Sequence, residues 1–305
     1  MPATGLAARA VRRLSRLAGE HDPLLTALDA FAPDLVIFSF SGTYDLVLEP
    51  GWRDWLAARR PRCRIIANWQ AEHPRLVPAD LAAMRAVFAA AEAVCFVSQR
   101  NLDVTRRHLL RPLPNAAVVH NPLRWQPTDV APWPHSAVPR LATVSRLDFG
   151  KGIQLLLHAL AELRAEAWTL RIHGQGEYEN PLRETVAHLG LADRVDFAGY
   201  VPGLRDIWAQ NELLCSPAID DGVPMTIPEA MLCGRPVLAT CVGGAEDWIV
   251  PGQTGFLVPA PTVPLLVATL RAALARRADW SVLGSAAAAY AGQHYRPDDF
   301  RRLIS

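Results

Sequence analysis

Short apolar, β-branched runs alternate along this chain with longer stretches of helical periodicity. In the first half the runs Asp34–Ser39, Arg64–Asn68, Ala93–Ser98 and Ala116–His120 predict strands. In the second half the predicted strands are Arg140–Ser145, Trp168–His173, Arg194–Phe197, Glu212–Ser216 and Pro236–Thr240. Helical patterns such as Ile153–Arg164 and Asn180–Leu189 separate most of them. Strands that are apolar throughout are buried on both faces, which requires a parallel sheet covered by helices on each side. Between the halves, Asn121–Arg140 (NPLRWQPTDVAPWPHSAVPR) carries five prolines. Proline removes a backbone donor and fixes φ, so this stretch reads as an interdomain linker. The expected fold is α/β, with two doubly wound, Rossmann-like domains facing a cleft. They span residues 1–125 and 126–305, the second including the Pro-rich linker 126–139. Ligands of such sheets sit beyond the carboxyl ends of the strands, which places the expected site in that cleft.

Composition narrows the class. Half of the 305 residues are hydrophobic, enough for two packed cores, and the formal net charge of +1 gives no electrostatic case for nucleic acid as partner. Cys63, Cys95, Cys215, Cys233 and Cys241 form no C-x-x-C pair, and their odd number argues against a disulfide framework. A reducing cytoplasm is the expected compartment. No apolar run approaches the roughly 20 residues that span a bilayer, and the opening segment lacks the continuous apolar core of a secretory signal. Arg9, Arg12, Arg13 and Arg16 fall on one helical face, opposite Val11, Leu14 and Leu17. Such a helix can lie on anionic lipid at the inner face of the membrane. It can equally be a solvated helix packed on its domain, the commoner fate of a charged face.

Four stretches of the second half can carry chemistry. Ser216–Thr240 (SPAIDDGVPMTIPEAMLCGRPVLAT) reads as strand end, acidic Gly-containing loop, helix, Gly turn and strand. A helix starting near Thr226 would point free N–H groups at a phosphate. Glu229 in its first turn can accept from paired ribose hydroxyls, and Asp221 on the loop can accept from a sugar. Against this, Thr226-x-x-Glu229 has the spacing of a capping box, and Asp220-Asp221-Gly222 that of a simple turn. Ser145–Gly152 (SRLDFGKG) follows a strand, and Arg146 with Lys151 can clamp a diphosphate and stabilise its growing charge as it leaves. A solvated basic loop is the alternative. In Ile172–Glu177 (IHGQGE) two glycines permit a tight turn and close approach of backbone to a ligand, or an ordinary turn. In Val195–Val201 (VDFAGYV) the backbone after the strand can meet a nucleobase edge, or simply turn.

Together and in this order the four stretches resemble the C-terminal domain of the family-4 (group 1) retaining glycosyltransferases of GT-B fold. That family's G-R-L-x-x-x-K-G loop is matched by SRLDFGKG, with Ser145 in place of the first Gly. Its E-x7-E element is matched by Asp221 and Glu229, and GGAEDWIVPGQTGFLV (Gly243 to Val258) looks like its closing segment. The resemblance runs from about Arg140 to Pro259. It implies sugar transfer from a nucleotide-diphosphate-sugar, UDP- or GDP-linked, to a hydroxyl acceptor with retention. It implies no metal and no cofactor besides the donor, and a glycan, lipid-linked or small-molecule acceptor. The implied catalytic residues are Asp221, Arg146, Lys151 and, on the acceptor side, His73. Arg146, Lys151, Gly174, Gly199, Tyr200, Asp221, Gly222, Met225, Thr226 and Glu229 are the implied donor-binding set. Two departures stand out. Asp221 replaces the usual Glu and shortens its reach by one methylene, and Pro228 replaces an aliphatic residue and removes a first-turn N–H.

In the first half, FAPDLVIFSFSGTYD, AVCFVSQRNLDV and VVHNPL look like the middle and end of the family's acceptor domain. The family opens with a strand, a Gly-rich loop and a helix, whereas this chain opens MPATGLAARAVRRLSRLAG. The expectation is that the first βα unit is missing. Gln70, Glu72 and His73, with Ser39, Ser41 and Asn121, fall at predicted strand ends on the side of the cleft. Two other readings stand beside transfer: a nucleotide-sugar epimerase on the same fold, and a non-catalytic nucleotide-binding remnant.

Overall fold

The structure is a computed structural model and describes residues 23–69 and 77–299. The Arg9–Arg16 face and the expected loss of a first βα unit fall outside the described residues, as do Gln70, Glu72 and His73. The chain divides into two compact units. Among the described residues, one is built from 23–67 with 77–95 and 105–117, the other from 118–299 with 68–69 and 96–104.

The first half runs α1 (Pro23–Phe31), β1 (Leu35–Phe40), α2 (Asp45–Leu48), α3 (Pro50–Arg59), β2 (Arg62–Ala67), α4 (Pro78–Ala90), β3 (Ala93–Phe96), α5 (Gln99–Leu109) and β4 (Ala116–Val118). These strands form one sheet in chain order, β1-β2-β3-β4, with β1 and β2 parallel from Leu35↔Arg62 to Phe40↔Ala67. All four expected strands form. β2 begins earlier than its apolar run because Arg62 and Arg64, two residues apart and so on one face, both reach Glu92 (3.0 and 3.2 Å).

The second half continues with β5 (Arg140–Val144), α6 (Ile153–Glu162), β6 (Thr169–His173), α7 (Glu179–His188), β7 (Val195–Gly199), α8 (Leu204–Trp208) and β8 (Leu213–Ser216). It closes with α9 (Thr226–Leu232), β9 (Val237–Thr240), α10 (Ala245–Trp248), β10 (Gly255–Val258), α11 (Val263–Ala275) and α12 (Trp280–His294). The strands make one parallel sheet in the order β10-β9-β8-β5-β6-β7. The chain enters at the centre, steps outward through β6 and β7, then crosses back to lay β8, β9 and β10 on the other side. The reversal lies between β5 and β8, and a doubly wound sheet opens a ligand crevice at that point. β10 is not among the expected strands. It is four residues long, and its Phe256 and Val258 are buried at the sheet edge.

Alternate strand residues serve opposite faces, as the pleat dictates. Leu141, Leu213, Cys215 and Leu238 join a core with α6, α7 and α11, in which Trp168 and Trp280 are fully buried. Ala142, Leu214, Val237 and Ala239 join a second core with α8, α9 and α10, around Trp208 and Met231. This two-sided burial is what made the strands read as unbroken apolar runs.

The Pro-rich stretch is irregular apart from a 3₁₀ turn at Pro127–Asp129, as its prolines require. It packs on the second unit, the domain to which 126–139 is assigned from the sequence. Leu123 and Trp125 pack against the second core, and the Leu123 N–H donates to the Tyr295 hydroxyl (3.1 Å). Arg235, only 2% exposed, donates to the Pro132 carbonyl (2.8 Å) and also to those of Trp208, Asn211 and Cys233. The Trp133 ring lies under its guanidinium at 5.1 Å.

Candidate functional site

A cavity of about 480 Å³ opens in the second unit at the carboxyl ends of β5 and β6. Val144, Ser145 and Arg146 reach it from β5, and His173, Gly174 and Gln175 from β6. Tyr200 and Val201 reach it from the turn after β7, and Met225, Thr226 and Glu229 from the start of α9. Pro122 and Arg124 of the Pro-rich strip complete the wall together with Ile207. Of the expected donor-binding residues, the structure gathers Arg146, Gly174, Tyr200, Met225, Thr226 and Glu229 here. Gly199 stands one bond behind Tyr200, with φ +67°, and its carbonyl accepts from the Gly174 N–H (2.8 Å).

The floor is made by two interlocked loops. Ser145 donates its N–H to the His173 carbonyl (3.1 Å) and Leu147 to that of Gln175 (2.9 Å), while Tyr178 donates back to Leu147 (3.0 Å). A Cβ on Gly174 would sit 1.8 Å from the Ser145 carbonyl, and one on Gly176 2.1 Å from that of Leu147. The close approach that these glycines permit is therefore to the neighbouring loop of the same chain. The acidic loop after β8 is clamped from both sides. Ile219 and Asp220 donate to the Gly150 carbonyl (2.8 and 3.2 Å), and Gly244 donates to that of Gly222 (2.9 Å).

Glu229 is not a cap. Helix α9 begins at Thr226 with Met225 as its N-cap residue, and no side chain caps it. The capping box needs Thr226 at the N-cap and Glu229 three residues into the helix, and the helix starts one residue too early for that. Pro228 occupies the first turn, where its missing N–H costs nothing. The Glu229 carboxylate turns instead to the Pro-rich strip. Its Oε1 accepts from the Arg124 N–H (3.3 Å) and lies 3.7 Å from the guanidinium Nε. Burial raises its pKa, and Arg124 partly opposes that rise.

The expected diphosphate clamp is arranged differently from its sequence reading. Lys151 and Asp221 are partners: Nζ to Oδ2 is 2.5 Å, with both side chains largely buried. Arg146 is 77% exposed and donates to Asp148 (2.8 Å). The two cations are thus each held by a carboxylate, and Asp221 stands beside Lys151. Among the described residues no group of three or more His, Cys, Asp or Glu is placed to hold a metal ion. Among the same residues no helix is long and apolar enough to cross a membrane.

His173 is a further residue of the wall. It is 4% exposed, and burial pushes its pKa down to about 4, so the ring is neutral near pH 7. Asn211 Nδ2 donates to the Ile207 carbonyl (2.8 Å) and lies 3.3 Å from His173 Nε2.

Residues 138–276 match the family model described as Glycosyl transferases group 1. A GDP-mannose-dependent alpha-(1-6)-phosphatidylinositol monomannoside mannosyltransferase of Mycolicibacterium smegmatis is 28% identical over 95% of this chain and 76% of its own. The group 1 glycosyltransferase match thus falls on residues 138–276, the segment that holds most of the cavity wall. A putative colanic acid biosynthesis glycosyltransferase of Salmonella typhimurium is 29% identical over 43% of this chain, which spans 34% of that protein. HepE of Anabaena, solved with UDP-glucose, superposes with a TM-score of 0.75 at 21% identity, over 92% of this chain and 80% of its own, and bears on the fold alone. The GT-B class follows from such neighbours.

The wall residues that sequence reasoning missed are Arg124 and His173. His173 ends a strand of a parallel sheet on its carboxyl side, a position that by itself marks a candidate. Arg124 lies in a stretch dismissed as a linker, and no local pattern marks it. Ser39 lies in β1 and Ser41 just beyond it, in the first unit.

Proposed function

We propose that this protein moves a sugar from a nucleoside-diphosphate sugar to a hydroxyl of a glycan, lipid-linked or small-molecule acceptor, with retention and without a metal. The observation that carries the reading is the buried Glu229 carboxylate on the wall of a cavity at the switch point of a Rossmann-like sheet. A ribose diol is a pair of adjacent donors, and an ionised carboxylate is its natural acceptor. The backbone at Gly199–Tyr200 would meet the base, and Met225–Thr226 with Gly174 would flank the phosphates. Lys151 would leave Asp221 for the diphosphate, which frees the Asp221 carboxylate for sugar hydroxyls close to Gly222. Lys151 and Arg146 would then stabilise the charge that grows on the departing diphosphate, a job often given to a metal. The M. smegmatis and Anabaena proteins, whose names carry GDP-mannose and UDP-glucose, support a GDP- or UDP-linked hexose. The first, whose name carries a phosphatidylinositol monomannoside, also supports a glycoconjugate acceptor. On this reading the protein works at the cytoplasmic face of a membrane, with His73 on the acceptor side.

Glu229→Gln tests the ribose contact. It keeps the shape and removes the charge, and a hydrogen bond to a charged group is worth about 1.5–3 kcal/mol. UDP or GDP affinity by calorimetry is expected to fall roughly 10- to 100-fold. Unchanged affinity in a folded variant would remove Glu229 from the nucleotide site. Transfer assayed in EDTA is expected to persist, and its loss with rescue by Mg²⁺ would overturn the metal-free reading.

A further inference from the structure

We propose that Arg124 is a positioning residue for the nucleotide ribose: it holds Glu229 through Oε1 and leaves Oε2 for the sugar hydroxyls. This deepens the ribose reading above and rests on it.

The geometry shows a two-handed grip from one residue. The Arg124 N–H donates to Glu229 Oε1 at 3.3 Å, and the guanidinium Nε stands 3.7 Å from the same oxygen. Among the described residues both protein contacts of the carboxylate fall on Oε1, and none on Oε2. The side chains differ sharply in exposure. Glu229 is 5% exposed and Arg124 is 51% exposed, so the acid is fixed inside and the base reaches in from the rim.

Burying a carboxylate favours its neutral form, which is a poorer acceptor for two hydroxyls. Arg124 is the cation that opposes this. The charged groups that act on Glu229 are Arg124, which favours ionisation, and Asp129 of the same strip, which disfavours it. Without the guanidinium, only the backbone N–H of residue 124 still opposes burial and Asp129, and ionisation needs a higher pH. Arg124 then matters most in mildly acidic solution and least in alkaline solution. It contributes through Glu229, so its effect follows the ribose hydroxyls and not the phosphates.

The test uses the full chain and calorimetric titration with UDP and GDP, each compared with its 2′,3′-dideoxy analogue, at about pH 6 and about pH 8. Wild-type protein is expected to favour the ribonucleotide. In Arg124→Met, which retains the backbone donor, that preference is expected to drop about threefold to fivefold near pH 6. It should return to within about twofold of wild type near pH 8. Arg124→Lys restores a cation and is expected to recover most of the preference, and unchanged melting of both variants shows that the fold is intact. Two results overturn the proposal and leave the ribose reading standing. One is an undiminished preference in Arg124→Met at both pH values. The other is an equal loss for the dideoxy analogues, which would put Arg124 on the phosphates directly. A wild-type protein that binds both sugars alike, or binds neither nucleotide, overturns the ribose reading and this proposal with it.

Discussion

His173 gives the site a signature in pH that can be worked out in advance. The imidazole is buried, neutral and bonded through Nε2 to Asn211, while Arg171 nearby further disfavours a second proton and Asp196 favours it slightly. Its pKa falls to about 4 in the fold against about 6.5 in the unfolded chain. A depressed folded value contributes stability that is fully present above the unfolded pKa and is lost as pH falls through the folded one. The window is therefore about pH 6.5 down to about pH 4. At about 1.4 kcal/mol per unit the full difference is about 3 kcal/mol, and near pH 4.5 about 2.5 kcal/mol of it is already gone. Glu229 and Asp247, whose values are raised by burial, shift stability the other way over the same range. The single protein is thus a poor reporter, and the comparison that isolates His173 is between wild type and His173→Leu. Urea unfolding followed by tryptophan fluorescence suits it, since Trp168, Trp208 and Trp280 are buried in the same unit. The variant is expected to be less stable near pH 7.5, where it forgoes the Asn211 bond. Between about pH 7.5 and about pH 4.5 it should lose about 2.5 kcal/mol less than wild type. Equal losses in the two proteins would refute a buried, neutral His173.

Two other perturbations follow from the same geometry. Lys151→Ala removes the partner of Asp221 and one of the two cations assigned to the leaving diphosphate. Turnover should fall about 10²- to 10³-fold while nucleotide affinity changes less, and a variant with undiminished kcat would take Lys151 out of the leaving-group role. Arg235→Leu strips a buried charge from carbonyls of the Pro-rich strip and of the segments after α8 and α9. It should cost about 3–5 kcal/mol of stability by chemical denaturation, and a cost below about 1 kcal/mol would show that the strip is held by its apolar contacts instead.

Much of the second unit was legible because its chemistry and its packing coincide. Strands buried on both faces are apolar at nearly every position, so β5, β8 and β9 announce themselves as runs. β2 and β10 illustrate the limit. Arg62 and Arg64 break the apolar pattern because Glu92, distant in sequence, neutralises them. Gly255–Val258 is too short to separate from the turn before it. The packing of the Pro-rich strip escapes the sequence for a related reason. Proline forbids regular structure but says nothing about packing, and the groups that pin the strip are Arg235 and Tyr295, more than a hundred residues further along.

The site residues divide along the same line. Glu229 could be singled out from its place after an acidic loop, but its two readings differ by a single residue in the start of α9, which local sequence does not resolve. The pairing of Lys151 with Asp221 was beyond local reading altogether. The sequence suggests a phosphate role for one and a sugar role for the other, because each is read in its own loop. The loop after β5 and the loop after β8 meet only because those strands are neighbours, although β6 and β7 come between them in the chain. That adjacency is a consequence of strand order, and strand order depends on which crossovers the whole sheet can accommodate. Once the order is known the pair is almost forced. Two loops at one switch point, one cationic and one acidic, lie side by side, and opposite charges at that range attract. On the proposed reading, a donor would have to offer Lys151 a charge at least as good as that of Asp221, which a diphosphate does.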